Sequence, residues 1–216
     1  MYDVDHRIYN ATMRTLGYLI RRLALDSKEV LDVGSSEGRF LARFGKGSVG
    51  VTIIPEHVAL ATEKGLTVVL GNIEDPSFTL SQKFDAVWAN NIFEHLNAPH
   101  LFLMNIKKFI KPDGMLVLGV PVIPVPAFLT RFKKFRGAYA VSHVNFFTRR
   151  TLVDTVRSAG WDIVEARSFH SERPVVDALF NTIAPHMYIV ARPVWGFVYP
   201  NKRLRSLQGY GTQEHN

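Results

Sequence analysis

Two histidines of this 216-residue chain stand where proton transfer could occur. His95 follows a predicted strand at residues 84–89, and His143 precedes a predicted helix at residues 148–159. Imidazole titrates near neutrality, so either side chain could accept a proton from a hydroxyl nucleophile. Either could also hold a loop in place through hydrogen bonds. We predict His95 and His143 as the candidate catalytic residues.

A glycine-containing loop, DVGSSEG at residues 32–38, follows the first predicted strand. Glycine at position 34 permits a sharp turn and a close approach of the backbone to a ligand. A dinucleotide-binding G-x-G-x-x-G motif that began at Gly34 would also need glycine at positions 36 and 39, which hold Ser36 and Arg39. The spacing therefore argues against a dinucleotide and favours another ligand at the end of a parallel strand.

The elements that must position these residues alternate between short apolar runs and helical segments. Residues 2–25 are amphipathic and predict one or two helices. Strands are then predicted at residues 29–33, 49–53, 66–70, 84–89, 115–120, 161–169 and 186–192, and helices at 37–44, 55–64, 99–110 and 148–159. This order predicts an α/β fold with a doubly wound, mostly parallel sheet and right-handed crossovers.

Four segments, in this order, resemble motifs of the class I S-adenosylmethionine-dependent methyltransferases. They are VLDVGSSEG at residues 30–38, FDAVWANN at 84–91, FIKPDG at 109–114, and HVNFFT at 143–148 with AGW at 159–161. The last segment is similar to the ubiquinone-biosynthesis-type and sugar methyltransferases. The resemblance implies a Rossmann-like, seven-stranded sheet with an antiparallel last strand, helices on both faces and a small helical lid. It also implies S-adenosyl-L-methionine as cofactor and S-adenosyl-L-homocysteine as product.

The resemblance assigns cofactor contacts to ten residues. Asp32 and Gly34 would lie by the methionine amino group and carboxylate, and Asn90 would offer its carbonyl to the amino group. The other seven positions comprise the remaining loop residues, the ribose and adenine contacts after the second strand, and the adenine edge after the third: Ser35, Ser36, Gly38, Thr52, Ile53, Asn72 and Ile73.

Two positions depart from the family pattern. Ser36 replaces the middle glycine of the loop, and Thr52 stands where an Asp or Glu ordinarily accepts hydrogen bonds from both ribose hydroxyls. A hydroxyl group lacks that bidentate, charge-assisted geometry, at a cost of about 1–3 kcal/mol. The leading hypothesis is an enzyme that methylates a small or lipid-linked acceptor by in-line displacement. The alternative is a catalytically inactive, methyltransferase-like binding or scaffold protein.

Three residues on two separate segments, Glu94 with His95 and the distant His143, also suggest a metal site. Glu94, His95 and His143 are similar to part of the E-x-x-E-H…H site of small-RNA 2′-O-methyltransferases. That pattern has a carboxylate at the position of Asn91. Because one ligand of the pattern is missing, we expect no metal.

The charge distribution points to the nature of the acceptor. Residues 1–110 hold twelve Lys/Arg and twelve Asp/Glu, whereas residues 111–216 hold fourteen and seven. Within a predicted lid at 121–147, AFLTRFKKFRG at residues 127–137 predicts an amphipathic helix with three phenylalanines on one face and basic residues around it. Such an excess of positive charge either keeps the surface soluble or attracts anions. We expect an anionic acceptor, with peripheral contact to an anionic membrane surface. Nucleic acid is not expected, since no recognition module accompanies the basic residues.

Bulk composition bounds the remaining possibilities. The chain has no cysteine, which excludes disulfides, zinc–thiolate sites and cysteine nucleophiles. No secretory signal or membrane span is predicted, and a cytoplasmic location, with some membrane-peripheral contact, is expected. We predict N-terminal cap helices at 1–27, a methyltransferase domain at 28–195 and a C-terminal tail at 196–216.

Overall fold

Eight strands and five α-helices are present in a computed structural model that describes residues 6–140, 142–168 and 173–200. The strands are β1 (Val30–Val33), β2 (Val49–Thr52), β3 (Val68–Leu70), β4 (Phe84–Asn90), β5 (Ile110–Ile123), β6 (Phe147–Thr148), β7 (Trp161–Arg167) and β8 (His186–Pro193). The helices are α1 (His6–Leu23), α2 (Pro55–Glu63), α3 (Pro99–Asn105), α4 (Arg149–Ser158) and α5 (Pro174–Phe180).

The strands form one sheet in the order β3-β2-β1-β4-β5-β8-β7. Strands β1 to β5 pair in parallel, and β8 lies antiparallel between β5 and β7. The seven-stranded, mostly parallel sheet with an antiparallel last strand is confirmed. The two-residue β6 is an addition that pairs in parallel with the end of β5. The strand order reverses between β1 and β4, so the carboxyl ends of these two strands border the crevice where such sheets bind ligands.

Helices cover both faces of the sheet, as predicted. Along β4, Ala86 and Trp88 face a cluster with Leu16 and Leu19 of α1, whereas the alternate residues face the other side. On that other side, Val87 and Ala89 pack in the larger core with residues of α3 and α4, including Phe102, Leu103, Leu152 and Val156. The continuous apolar run at the centre of β4 therefore reflects a strand buried between two helical layers.

Helix α4 begins and ends as the sequence predicts. The Thr148 side chain accepts from the main-chain N–H of Thr151 in a capping box, which satisfies donors that the first helical turn leaves unpaired. Gly160 follows the helix with a φ of 75°. Both ends of α4 therefore carry local signals in the sequence, Thr148 before the helix and Gly160 after it.

Two predicted helices are wrong in extent or type. Residues 37–44 do not form an α-helix: only Leu41–Arg43 form a 3₁₀ turn. Ser36 and Gly38 both have positive φ, so the backbone turns repeatedly before a helical repeat can begin. The helix expected over residues 99–110 ends at Asn105 and continues as a 3₁₀ segment, Ile106–Phe109.

The lid also differs from its prediction. Strand β5 continues to Ile123, and residues 127–139 form three 3₁₀ segments in place of one amphipathic helix. The expected single apolar face is absent from this segment, because the three phenylalanines do not share one helix surface. Phe128 and Phe132 are 58% and 57% exposed, and Lys134 lies over the ring of Phe135.

Both predicted flanking segments contact the domain where the structure describes them. In α1, Leu16, Leu19 and Ile20 are buried against the sheet. In the described part of the tail, the ring of Phe197 lies 5.3 Å from the Lys107 Nζ atom. The predicted tail from residue 201 onward lies outside the described residues. Within the described ranges, no helix combines the length and apolar character needed to cross a bilayer.

Candidate active site

The loop after β1 turns back on the end of β2. The N–H groups of Gly34 and Ser35 both donate to the Val51 carbonyl, at 3.0 and 3.1 Å. Gly34 has a φ of 72°, and a Cβ at this position would lie 3.1 Å from the Ile92 side chain. Ser36 has a φ of 50°, a left-handed conformation that is unfavourable for a residue with a side chain. The loop therefore has the tight turn that its glycine spacing predicts, with local strain at Ser36.

Asp32 places a carboxyl group at the buried side of this loop. Its side chain is 1% exposed and receives a hydrogen bond from the Leu41 N–H. Its Oδ2 atom has no hydrogen-bond partner in the part of the chain that is described. Burial raises the pKa of Asp32 to about 8. Asp32 thus holds a buried acceptor that a bound cation could satisfy.

Asn90 ends β4 beside the same loop. Residue Val33 of β1 pairs with Ala89, so Asn90 and Gly34 follow neighbouring strand ends. Asn90 is buried, and its side-chain amide has no hydrogen bond to a described residue. A Cβ at Gly119 of β5 would lie 2.2 Å from the Asn90 Oδ1 atom. The glycine in β5 therefore makes the room that the Asn90 side chain occupies, a dependence that the sequence did not reveal.

The end of β2 carries the expected ribose and adenine residues. Thr52 is buried, and its Oγ1 atom accepts from the Ile54 N–H at 3.3 Å. Ile53 is 70% exposed. A hydroxyl that already accepts one bond still has its proton and a second lone pair for a ligand. The structure leaves an exposed apolar side chain beside this hydroxyl.

The two residues predicted after β3 occupy different environments. Asn72 is exposed, and its Oδ1 atom accepts from the Glu74 N–H at 2.9 Å in a local turn. The Ile73 side chain is buried in the larger core. Thr52 and Asn72 are nevertheless close, because Gly71 donates to the Thr52 carbonyl. The other loop residues, Ser35 and Gly38, are joined by a hydrogen bond from the Gly38 N–H to the Ser35 carbonyl.

These features fit S-adenosylmethionine. The cofactor combines an ammonium group, a carboxylate, a ribose and an adenine. Unsatisfied buried acceptors on Asp32 and Asn90 match the ammonium group, and the turned loop offers backbone to the carboxylate. The exposed Ile53 offers an apolar contact for the adenine.

The two predicted catalytic histidines lie together over one buried carboxyl group. The rings of His95 and His143 meet edge to face with centroids 4.7 Å apart. Their Nε2 atoms lie 3.9 and 3.8 Å from the Glu94 Oε1 atom. Burial raises the pKa of Glu94 to about 7 and lowers the pKa of His143. The sequence pattern already groups these three residues, and the fold brings them together.

Main-chain hydrogen bonds hold this arrangement in place. The Glu94 carbonyl accepts from the N–H groups of Val144 and Asn145, both at 3.0 Å. The Asn145 side chain donates to the Leu96 carbonyl at 2.6 Å. The segment before β6 is thereby fixed to the segment after β4, which brings His143 to His95 across a sequence separation that no local motif shows.

A third histidine at this edge was not predicted. His186 begins β8, and its Nε2 atom lies 2.8 Å from the Oδ1 atom of Asn91. Asn91 follows β4 and has a φ of 53°. Because β8 is antiparallel, its first residue lies at the carboxyl edge of the parallel strands, where its neighbour on β5 is Pro121. Only the strand order could have revealed this placement.

Comparison with known proteins places the chain in a family. The sequence model of a methyltransferase domain family matches residues 5–166. The chain is a class I S-adenosylmethionine-dependent methyltransferase by family. The methyltransferase is 30% identical over 113 residues to the ubiquinone biosynthesis O-methyltransferase of Xanthomonas oryzae pv. oryzae, covering 48% of this chain and 47% of the relative. It is 27% identical over 110 residues to the mitochondrial enzyme of that name from Schizosaccharomyces pombe, covering 45% and 39%.

Solved structures agree with the fold. The 1,6-didemethyltoxoflavin-N1-methyltransferase of Burkholderia thailandensis, solved with that compound and S-adenosylhomocysteine, superposes with a TM-score of 0.59 at 21% identity, covering 85% of this chain and 78% of that one. An S-adenosylmethionine-dependent methyltransferase from Mesorhizobium loti gives 0.60 at 14% identity, covering 82% and 97%. The methyltransferase spans less than half the length of the curated relatives named above, so their substrates bear on it only as proposals.

Proposed function

We propose that this methyltransferase moves a methyl group from S-adenosylmethionine to a hydroxyl oxygen of a small or lipid-linked acceptor, such as a sugar or a quinone-like ring. The supporting observation is the pair of imidazole Nε2 atoms beside Glu94, at the edge of the sheet that also carries the cofactor loop. When bound, the cofactor supplies a methyl group on a positively charged sulfur, and the new carbon–oxygen bond forms in line as the carbon–sulfur bond breaks.

The protein's part in this proposal is to bind, orient and accept a proton. Asp32 and Asn90 would hold the ammonium end of the cofactor, with Ser35, Ser36 and Gly38 shaping the loop around it. Thr52 and Ile53 would meet the ribose and adenine, with Asn72 and Ile73 at the adenine edge. His143 or His95 would take the proton of the acceptor hydroxyl, since an imidazole with a lone pair on Nε2 is a suitable base.

The acceptor proposal draws on the relatives and on the lid. The relatives are named for O-methylation in ubiquinone biosynthesis. In the lid, exposed Phe128 and Phe132 alternate with exposed basic residues, Arg131, Lys133, Lys134 and Arg136. Apolar rings beside cations suit the interface of an anionic bilayer. We expect vesicles with anionic lipid to retain the protein and salt to release it; retention that salt does not affect would contradict this assignment.

Calorimetry with S-adenosylmethionine and S-adenosylhomocysteine tests the cofactor part of the proposal. We expect one binding site for each ligand. The absence of binding at millimolar ligand would instead favour the catalytically inactive alternative. The departures from the family pattern at Ser36 and Thr52 are the reason to consider that alternative. Transfer of labelled methyl to a catechol with a prenyl tail, compared with a sugar phosphate, then tests the acceptor. His143→Ala should slow transfer without weakening S-adenosylhomocysteine binding, while His57→Ala, a change in α2, should leave the transfer step unchanged.

A further inference from the structure

Three side chains with metal-ligating atoms converge at one point of the site. The carboxylate of Glu94 and one nitrogen each of His95 and His143 all lie within 4.8 Å of one another. We call these three residues the Glu94 cluster. Two imidazoles and one carboxylate form a ligand set that binds divalent transition-metal ions in proteins.

The carboxylate of the cluster lacks any other partner in the described structure. Glu94 is 1% exposed, and neither of its oxygens accepts a hydrogen bond from a described residue. The two imidazole nitrogens that face it, at 3.8 and 3.9 Å, are beyond hydrogen-bond distance. A buried carboxylate without a partner is unfavourable, so the site needs either a cation or a proton at this carboxyl group.

Hydrogen bonds from the Nδ1 atoms orient the imidazole rings of His95 and His143. The Nδ1 atom of His95 lies 3.0 Å from the Ser142 carbonyl oxygen, and that of His143 lies 3.1 Å from the Ala138 carbonyl oxygen. A carbonyl can only accept, so each Nδ1 carries a proton, and in the neutral ring the lone pair is then on Nε2. Metal-ligating histidines characteristically donate their second ring nitrogen to a carbonyl in this way, which orients the ring.

We propose that the Glu94 cluster binds one divalent transition-metal ion, with Zn²⁺ as its representative, through the Nε2 atoms of His95 and His143 and the carboxylate of Glu94. Ligand atoms around a tetrahedral ion with bonds of about 2.1 Å lie roughly 3.4 Å apart, so a small inward rotation of the side chains closes the site. This proposal replaces the sequence-based expectation of no metal, which depended on the missing carboxylate at Asn91.

Three protein ligands leave an open position on the ion. Resting on the proposed function, that position would take the acceptor hydroxyl, whose proton would leave to water as the ion lowers its pKa. With the ion bound, both imidazoles are ligands, and water takes the place of the imidazole base that we propose for the metal-free site. Metal binding itself is independent of methyl transfer and can be measured without the cofactor.

The test is calorimetric titration of the chelator-treated 216-residue chain with Zn²⁺, followed by Co²⁺ as a spectroscopic probe. We expect one ion per chain and a visible Co²⁺ absorption of the intensity that tetrahedral sites give. Glu94→Gln removes the charged ligand but keeps the side-chain shape, and it should weaken Zn²⁺ binding at least about 100-fold. It should not destabilise the metal-free protein, because it also removes a buried charge.

Controls separate this site from adventitious binding and from failure of the proposed function. His143→Ala should weaken Zn²⁺ binding to a similar degree, whereas His57→Ala should leave it unchanged. The absence of Zn²⁺ binding by the unmodified protein would overturn the proposal, as would equal binding by Glu94→Gln, and a protonated Glu94 would then account for the buried carboxyl. S-adenosylhomocysteine binding is measured separately, so loss of the cofactor site would leave a positive Zn²⁺ result standing.

Discussion

The substitution Asp32→Asn should stabilise the free protein while weakening its cofactor site. The carboxyl of Asp32 has a pKa of about 8 in the folded chain, against 3.8 for an ordinary Asp, because it is buried without a cationic partner. Between these two values the unfolded chain ionises and the folded chain keeps its proton. The stability of the folded state therefore falls as pH rises through this range, by about 1.4 kcal/mol per pH unit.

The magnitude follows from the width of that range. At pH 7 the pH lies roughly three units above the unfolded-state pKa of 3.8, so ionisation of Asp32 in the unfolded chain lowers the free energy of unfolding by on the order of 4 kcal/mol. Asn has a similar shape and cannot ionise, so Asp32→Asn should raise the free energy of unfolding by that order at pH 7. Near pH 3 the gain should almost vanish, because Asp32 is then largely protonated in both states.

Urea unfolding of the free protein at the two pH values measures this difference. Asp26→Asn, at an exposed position, is the matched control and should show no comparable gain. S-adenosylhomocysteine should meanwhile bind Asp32→Asn less tightly by about 2 kcal/mol, roughly thirtyfold, since a charged hydrogen bond is lost. A gain in stability that is equal at both pH values would refute the assignment of the effect to ionisation, and unchanged affinity would refute the ammonium contact.

Three further substitutions test other parts of the site. Thr52→Asp should tighten S-adenosylhomocysteine binding by about 1–3 kcal/mol in calorimetry, since a carboxylate can accept from both ribose hydroxyls. The control Thr52→Val should not tighten binding. Weaker binding by the Asp variant would show that the ribose lies elsewhere. Gly119→Ala should weaken cofactor binding and lower the free energy of unfolding by about 1–3 kcal/mol, because its Cβ would collide with Asn90. Unchanged cofactor affinity would mean that the Asn90 side chain does not contribute to cofactor binding. Thr148→Ala should cost about 1 kcal/mol in urea unfolding through loss of the α4 cap and leave cofactor affinity unchanged, so a large loss of affinity would contradict a purely structural role.

The sheet was predictable from sequence because its signals are local. Buried runs such as 84–89 and the helix predicted over residues 148–159 depend on residues a few positions apart, and both were predicted correctly. The segment after the cofactor loop was predicted wrongly as an α-helix, because composition does not report the positive φ at Ser36. The prediction of an amphipathic helix in the lid was wrong for a related reason. The spacing of its phenylalanines suits an α-helix, but the segment forms short 3₁₀ turns instead.

The site was predictable only in its parts. The cofactor loop is contiguous in sequence, so its residues could be assigned together. Glu94 and His143 are joined instead by backbone hydrogen bonds between two distant segments, and His186 reaches Asn91 only because β8 runs against its neighbours. Such contacts follow from strand order, which one sequence does not fix.

The position of β8 has a consequence for synthesis on the ribosome. This strand is the last that the structure describes, yet it lies between β5 and β7, so neither of those strands has its full set of partners until residue 193 has emerged. Until then β5 presents a long, apolar, unpaired edge, a feature that invites association between nascent chains. A fragment cut at residue 166, where the family match ends, would carry this edge permanently. We expect such a fragment to aggregate, although it contains the whole cofactor loop and both histidines.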